Sequence, residues 1–568
     1  MSGSTPSKPI DPNLLSTIRR DIIGEGIQIA TPFGRKPLVY ADYTASGRSL
    51  QSIENFIQKN VLPFYANTHS DSSFCGRQTT AYREQARELI RKELNADENW
   101  AIIFCGSGAT AAINKFIDIL GLRLPLTKFQ RQLLAENSTD KERAVVFISP
   151  YEHHSNELPW RESNVDLVCI TLDQNDQLDL IALENSLKTY QHRTLKIASF
   201  SAASNVTGIR SNVDAITRLL HRYETLACWD YAAAGPYVDI HLKNTAGSAD
   251  NSIDAIFLSP HKFIGGPGTP GILAIKRELL NSEQTPSLPG GGTVSWVSPR
   301  HHYYLPAGER REEGGTPAII EAIRAGLVFK LKKTIGAKAI EQREKQHIRY
   351  AINRLKKHPH ISILGNTDVE RLAILSLQIR LTDKNGVMRE LHHGLIVVLL
   401  NDLFGIQARG GCSCAGPYGH YLLGIDEEKS ARFEELIKHG EMIFRPGWVR
   451  INFNYFIDDK TADYLLSALE LIATYGWKLL GYYHWDRQSN VWKHRIEQQP
   501  PLHHLDDFFP EENITNPGIA ADQAALLQEN LQKMSDFLIA LQPKPNTLPL
   551  TKAAHENWRW FACADDFL

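Results

Sequence analysis

The sequence predicts an α/β fold, a mostly parallel sheet covered by helices, on three observations. Short β-branched runs alternate with amphipathic stretches from Pro37 to about Ala325. Within those stretches, such as Ala109–Leu120 and Val213–Tyr223, apolar residues recur at spacings of three and four, the period of a helix face. The chain is also long enough, at 568 residues with 42% hydrophobic residues, to bury large cores without disulfides or structural metals. Strand–helix alternation of this kind makes βαβ units, which close into a parallel sheet.

Taken in order, the candidate strands are Leu38–Asp42, Trp100–Phe104, Ala144–Ile148, Val165–Thr171, Leu195–Phe200, Thr225–Trp229, Ala255–Leu258 and Gly271–Ile275. Gly121–Arg143 is too long for an ordinary connection and reads as an insertion with helical character. After Thr316–Pro317 a long helix begins, with Ile320, Ile323, Leu327 and Leu331 on one face. Residues 335 to 475 hold fewer, longer strands with helices between them. Gln498 to Pro517, with four prolines and several acids, reads as a linker, and Ala520–Leu541 has a helical pattern. The expected organisation is an N-terminal segment 1–37, a large domain 38–330, a smaller α+β domain 331–480 joined by the N-terminal segment, and a C-terminal extension 481–568.

Composition narrows the function classes. Lys+Arg 62 against Asp+Glu 64 leaves a formal charge of −2, which offers no bulk attraction to nucleic acid or to an anionic membrane. Met1 to Arg20 has no apolar run of signal-peptide length, and the most apolar stretch, Gly394 to Leu400, is far too short to span a bilayer. Seven scattered cysteines, an odd number, suit reduced thiols in the cytoplasm better than a disulfide framework.

Three local patterns carry chemistry. Ser259-Pro260-His261-Lys262 follows an apolar strand and precedes a glycine turn, Gly265-Gly266. A lysine there can form a Schiff base with a carbonyl if burial lowers its pKa, and the alternative is an idle loop lysine. Asp230 ends the strand Thr225–Trp229; parallel sheets bind ligands at such carboxyl ends, although an aspartate there is also a common cap. Gly106-Ser107-Gly108-Ala109-Thr110 stands between a strand and a helix, where free N–H groups and the helix dipole make an anion cradle. It matches neither the nucleotide P-loop nor the dinucleotide fingerprint. Each pattern is weak alone, and their order on consecutive strand ends makes them strong together.

With these pieces placed, the chain resembles the class V group of fold-type I pyridoxal phosphate enzymes, which includes cysteine desulfurases and selenocysteine lyases. The likeness runs from about Leu38 to Ile472 and includes Tyr40–Ser46, Glu152–Asn156, Ser204–Gly208, Gly290–Thr293, Glu313–Pro317, Arg409–Cys414 and Arg450 in family order. The resemblance implies that Lys262 carries pyridoxal 5′-phosphate and shuttles the substrate α-proton, that Asp230 pairs with the ring nitrogen, and that His153 stacks on the ring. Ala109, Thr110, Ser259 and His261 would hold the phosphate, and Thr293 would be lent across a homodimer interface. Arg450 would bind the substrate carboxylate, with Asn205 and Arg409 beside it. Arg409 reads equally well as a salt-bridge arginine. His69 reads as either an active-site edge or a surface loop, and His154 is expected to point away.

The resemblance further implies a reaction. Cys414, five residues after Arg409, matches the nucleophilic cysteine that takes sulfur from L-cysteine, leaving alanine and a persulfide for a sulfur-acceptor protein. Cys412 gives a Cys-x-Cys pair with no second pair at zinc spacing, so no metal is expected. That pair, and Ala233 where most desulfurases have a glutamine, also resemble molybdenum cofactor sulfurases. A class V aminotransferase, epimerase or lyase on another small amino acid, and a scaffold that keeps the fold, are the other readings.

Overall fold

The computed structural model describes residues 10–68, 72–124, 127, 139, 141–243, 251–281, 283–495, 502, 504–507, 523–546 and 552–568. His69, most of the insertion and most of the linker lie outside these residues. After the helix Pro12–Asp21 come a hairpin, β1 (Gln28–Thr31) and β2 (Gly34–Pro37), and a short strand β3 (Val39–Tyr40).

The large sheet comprises β4 (Trp100–Cys105), β5 (Ala144–Ile148), β6 (Val165–Cys169), β7 (Lys196–Ser201), β8 (Leu226–Asp230), β9 (Ala255–Leu258) and β10 (Gly271–Lys276), in the order β4-β10-β9-β8-β7-β5-β6. Only β10 runs against its neighbours. Successive side chains of a strand point to opposite faces, and both faces are buried here. Ala255 and Phe257 of β9 join one core with Ile113 and Phe116 of the helix Gly108–Ile119. Ile256 and Leu258 join the other core with Ile319 and Ile323 of the helix Ile319–Ile335. That helix crosses Phe74–Glu93 closely enough that a Cβ on Gly326 would come within 2.5 Å of the Ala86 Cβ.

After the exposed hairpin β11 (Val294–Val297) and β12 (His302–Tyr304), a second, antiparallel sheet forms. Its strands are β13 (Ile361–Ile363), β14 (Ile374–Thr382), β15 (Met388–Leu391), β17 (Arg409–Gly411) and β18 (Trp448–Asn452); the main order is β13-β14-β18-β17, with β15 on β14. Leu38–Asp42 was expected to belong with the parallel strands. Instead β3 pairs with β16 (Ile406–Gln407) beside the second sheet, and the Ala41 N–H continues to the Gln407 carbonyl. The hydrogen bonding therefore crosses 366 residues of sequence, a partnership that local periodicity does not encode.

The C-terminal region forms the hairpin β19 (Tyr483–Asp486) and β20 (Val491–His494) and the helix Gln523–Ala540. This helix packs on Asp459–Tyr475. Leu527, Met534, Leu538 and Phe561 enter the core of the second sheet. Among the described residues no helix is long and apolar enough to cross a membrane.

Candidate active site

A cavity of about 230 Å³ opens where the carboxyl ends of the large-sheet strands meet the second sheet. Lys262 ends the short turn Pro260–Lys262 that follows β9. The turn is pressed against its own glycines, since a Cβ on Gly266 would lie 2.1 Å from the Pro260 carbonyl oxygen. Burial drives the Lys262 pKa down to about 8, against the opposing pull of the Asp230 carboxylate. Asp230 ends β8 in register with Phe257 of β9. Burial raises its pKa, and an N–H from Ala232, at 2.7 Å, works against that shift.

The helix Gly108–Ile119 presents its first turn to the same cavity. Gly108 has φ +56°, and a Cβ there would sit 2.8 Å from Ser259 Oγ, so the approach of loop to strand end requires glycine. The Ala109 N–H donates to Ser259 Oγ at 2.8 Å. Thr110 Oγ1 lies 2.6 Å from Ser155 Oγ, which is 3.1 Å from His153 Nδ1. Because the Ser155 N–H also points at His153 Nδ1, that nitrogen is an acceptor and Nε2 carries the proton. Burial, with Lys262 nearby, pushes the His153 pKa down to about 3, so the ring is neutral. His261 is likewise pushed down to about 4, and Ser46 Oγ lies 3.2 Å from its Nδ1.

The second sheet supplies the opposite wall. Arg409 on β17 and Arg450 on β18 stand directly opposite each other, a like-charge pair that a sheet tolerates poorly unless bridged. Asp42 is the bridge: Oδ1 lies 2.9 Å from Arg450 Nη2 and Oδ2 3.0 Å from Arg409 Nε. Arg450 also donates to the Asn205 carbonyl, and burial lowers its pKa despite Asp42. Arg409 is therefore both a salt-bridge arginine and a cavity residue.

Cys414 reaches the cavity from a tight turn in which the Ala415 N–H closes on the Cys412 carbonyl at 3.1 Å. Ser413 and Cys414 have φ of +50° and +56°, left-handed values that disfavour both residue types. External contacts hold the turn in place. Asn205 Nδ2 donates to the Ser413 carbonyl, the His154 N–H to the Cys414 carbonyl, and the Gly416 N–H to His154 Nε2.

Lys262, Asp230, His153, Ala109, Thr110, Ser259, His261, Asn205, Arg409, Arg450 and Cys414 thus line one cavity, together with Ala233. Thr293 does not: it is buried in its own loop, donating to the Gly290 carbonyl at 2.7 Å. Cys412 lies outside the lining, and no group of three or more His, Cys, Asp or Glu side chains is placed to hold a metal among the described residues. Among the described residues, none of the extension lines the cavity, whose last lining residue is Arg450. Sequence reasoning gave no role to Asp42, Ser155 or His154. Asp42 and Ser155 stand inside Tyr40–Ser46 and Glu152–Asn156, two of the motifs that carry the resemblance, and that position is their signal in the sequence. The loop contact of His154 has no sequence signature.

The donor set fits pyridoxal phosphate. A helix start suits a phosphate, a buried carboxylate suits a ring N–H, and the lysine amine is partly deprotonated near neutral pH. Asn205, one of the lining residues, keeps a buried Oδ1 with no hydrogen-bond partner among the described residues.

The Aminotransferase class-V family model matches residues 39–433. A probable cysteine desulfurase of Streptomyces coelicolor is 28% identical over 386 residues, covering 67% of this chain and 84% of that protein. One of Halalkalibacterium halodurans is 28% identical over 393 residues, covering 68% and 86%. A cysteine desulfurase from Thermococcus onnurineus superimposes with a TM-score of 0.62 at 21% identity, covering 83% of this chain and all of that structure. The cysteine desulfurase CsdA from Escherichia coli gives 0.60 at 21%, covering 82% and 98%.

Proposed function

This chain belongs to the class-V aminotransferase family, and from that premise we propose that it is a pyridoxal phosphate-dependent enzyme that takes sulfur from L-cysteine, leaving alanine and a persulfide on Cys414. The observation that carries the proposal is the convergence of Lys262, Arg450 and Cys414 on one cavity of about 230 Å³. The names of the relatives support the same reaction.

When bound, the cofactor would supply an electron sink for the pair left on the substrate α-carbon as its proton departs. Lys262 Nζ is the attachment point and the base at that carbon, and a pKa of about 8 keeps a useful fraction of the amine free at neutral pH. Asp230 holds a proton on the ring nitrogen. The first turn of Gly108–Ile119, with Thr110, Ser259 and His261, receives the phosphate. His153, neutral and fixed in one tautomer by Ser155, would support the face of the ring. Arg450 binds the substrate carboxylate and Asp42 fixes its fork. Cys414 Sγ, as thiolate, bonds to the substrate sulfur while the carbon–sulfur bond breaks. The carbon skeleton takes up protons and leaves as alanine, so no external oxidant is required.

The exposed hairpin carrying Trp296 and Tyr303, beside the Thr293 loop, supports a homodimer in which a second copy covers it. A sulfur-acceptor protein and a cytoplasmic setting complete the reading.

Purified protein should be yellow, and Lys262→Ala should abolish the visible band. L-cysteine should then yield alanine in step with a persulfide on Cys414. Alanine without persulfide, or sulfur release unchanged in Cys414→Ala, would overturn the sulfur-transfer reading.

A further inference from the structure

The turn that carries Cys414 holds a second thiol. Cys412 opens the same four-residue turn, and two peptide steps keep the two Cα atoms within about 7 Å. That is the range in which cysteine sulfurs can reach one another. Cys414 lines the cavity, whereas Cys412 is half-buried outside it. Its Sγ has a partner of its own, an N–H from Arg445 Nη2 at 3.2 Å. The two cavity arginines are bound to Asp42, so Arg445 is an independent cation for this sulfur.

Arg445 is positioned from a distance. Three residues beyond position 433, where the family match ends, grip the segment that leads into it. Buried Glu441 pairs with Arg487 at 2.8 Å and Lys552 at 3.5 Å. Trp560 Nε1 donates to the Phe444 carbonyl at 3.0 Å. The indole also stacks on His393 at 6.1 Å and 14°, and His393 Nε2 lies 3.1 Å from the Arg445 carbonyl oxygen. On the far side, Gly447 packs so tightly on Gly411 that a Cβ there would meet the Gly411 Cα at 2.7 Å. The C-terminal extension thus fixes the backbone around the arginine that touches Cys412. Ordering a long side chain costs conformational entropy, and an incidental surface thiol gives no reason to meet that cost.

We propose that Cys412 is a second sulfur-carrying thiol, which receives the sulfane sulfur from Cys414 with Arg445 as its cationic support. The inference rests on the cysteine desulfurase reading. The Cys412 thiolate attacks the outer sulfur of the Cys414 persulfide. A bond forms between Cys412 Sγ and that sulfur, the bond to Cys414 Sγ breaks, and the electron pair leaves on Cys414 as thiolate. The proton stays on the transferred sulfur, nothing is oxidised or reduced overall, and Cys414 is free for another turnover.

The test incubates the holoenzyme with L-cysteine, without acceptor or reductant, then alkylates it and sequences the tryptic peptide Gly410–Lys429 by mass spectrometry. Wild type should carry sulfane sulfur on Cys412, Cys412→Ser on Cys414 alone, and Cys414→Ser on neither. Sulfur confined to Cys414 in wild type, Cys412 charged in Cys414→Ser, or a Cys412–Cys414 disulfide with released sulfide would each overturn the relay. Absence of sulfur at both positions would refute the desulfurase reading itself, and the second thiol is then judged by a measurement that needs no turnover. Iodoacetamide should alkylate Cys412 of the resting protein about tenfold faster than in Arg445→Gln, the loss of one charge-assisted hydrogen bond. Trp560→Ala should slow it in the same direction. Equal rates in wild type and Arg445→Gln would overturn the assignment.

Discussion

The wall that carries Lys262, Asp230 and Thr110 is made of strand ends and a helix start, whereas the wall that carries Cys414 is a turn whose two central residues both sit in left-handed backbone. The first wall needs little outside help, because each side chain is placed by the element that bears it. The second is held by Asn205, His154 and the Arg445 segment, none of them within the turn. The contrast suits the two tasks. A cofactor that stays put wants a preformed cradle, and a sulfur carrier that must meet both substrate and acceptor wants a loop that releases at low cost.

The comparison can be broken from either side, and Lys262→Ala strikes hardest at the first wall. It should remove the visible band and lower alanine formation by about 10³-fold or more, the scale of losing a catalytic base. Iodoacetamide labelling of Cys414 in that variant should match wild type, which would show that the second wall forms without the first. Ser413→Pro is the counterpart. Proline holds φ near −65° and cannot take the +50° of Ser413, so the turn must rearrange. Persulfide formation should fall by about 10²-fold, as expected for a misplaced reacting group, while the visible band stays.

A milder insult to the first wall is Gly108→Ala. Its φ of +56° and the 2.8 Å approach of a new Cβ to Ser259 Oγ should cost about 1–2 kcal/mol, or roughly tenfold in cofactor affinity. Spectral titration measures the change, and Cys414 labelling should not move. The smallest effect is a shift in pH dependence. Burial depresses the Lys262 pKa to about 8, so its free amine is scarce below that pH and abundant above it. Cofactor attachment, followed by stopped-flow absorbance, should speed up by about tenfold per pH unit below 8 and level off above. The Asp230 charge raises that pKa, so Asp230→Asn should move the midpoint down.

Legibility in the sequence followed the same division. The parallel strands and their helices were readable because alternation and helical spacing are local: Ala144–Ile148 and Ala255–Leu258 end where the apolar runs end. The reversed direction of β10 was not, since a buried strand reads alike in either direction. Lys262, Asp230 and Gly108-Ala109-Thr110 were legible because each stands at or shortly after the end of its strand. The Asp42 bridge, the His154 hold on the cysteine turn and the Arg445 contact with Cys412 join residues 33 to 408 positions apart, and no periodic pattern marks such pairs. Thr293 was named by motif alone, and in this chain its hydroxyl donates to the Gly290 carbonyl rather than lining the cavity.

One feature at the far end of the molecule bears on how the gene can be cut. Lys36 of β2 is 1% exposed, and its ammonium is held at 3.0 Å by Asn530 Oδ1 and at 3.3 Å by Met534 Sδ, both on Gln523–Ala540. Phe33, in the same hairpin, packs edge-on against Phe537. The hairpin and this late helix therefore behave as one unit although 494 positions separate Lys36 from Asn530. A fragment ending at Arg495 would keep every described cavity residue yet strip both neighbours from this desolvated amine and uncover the core that Leu527, Met534 and Leu538 enter, so solubility would be lost before the site is. The two ends of this chain are best kept together, or removed together.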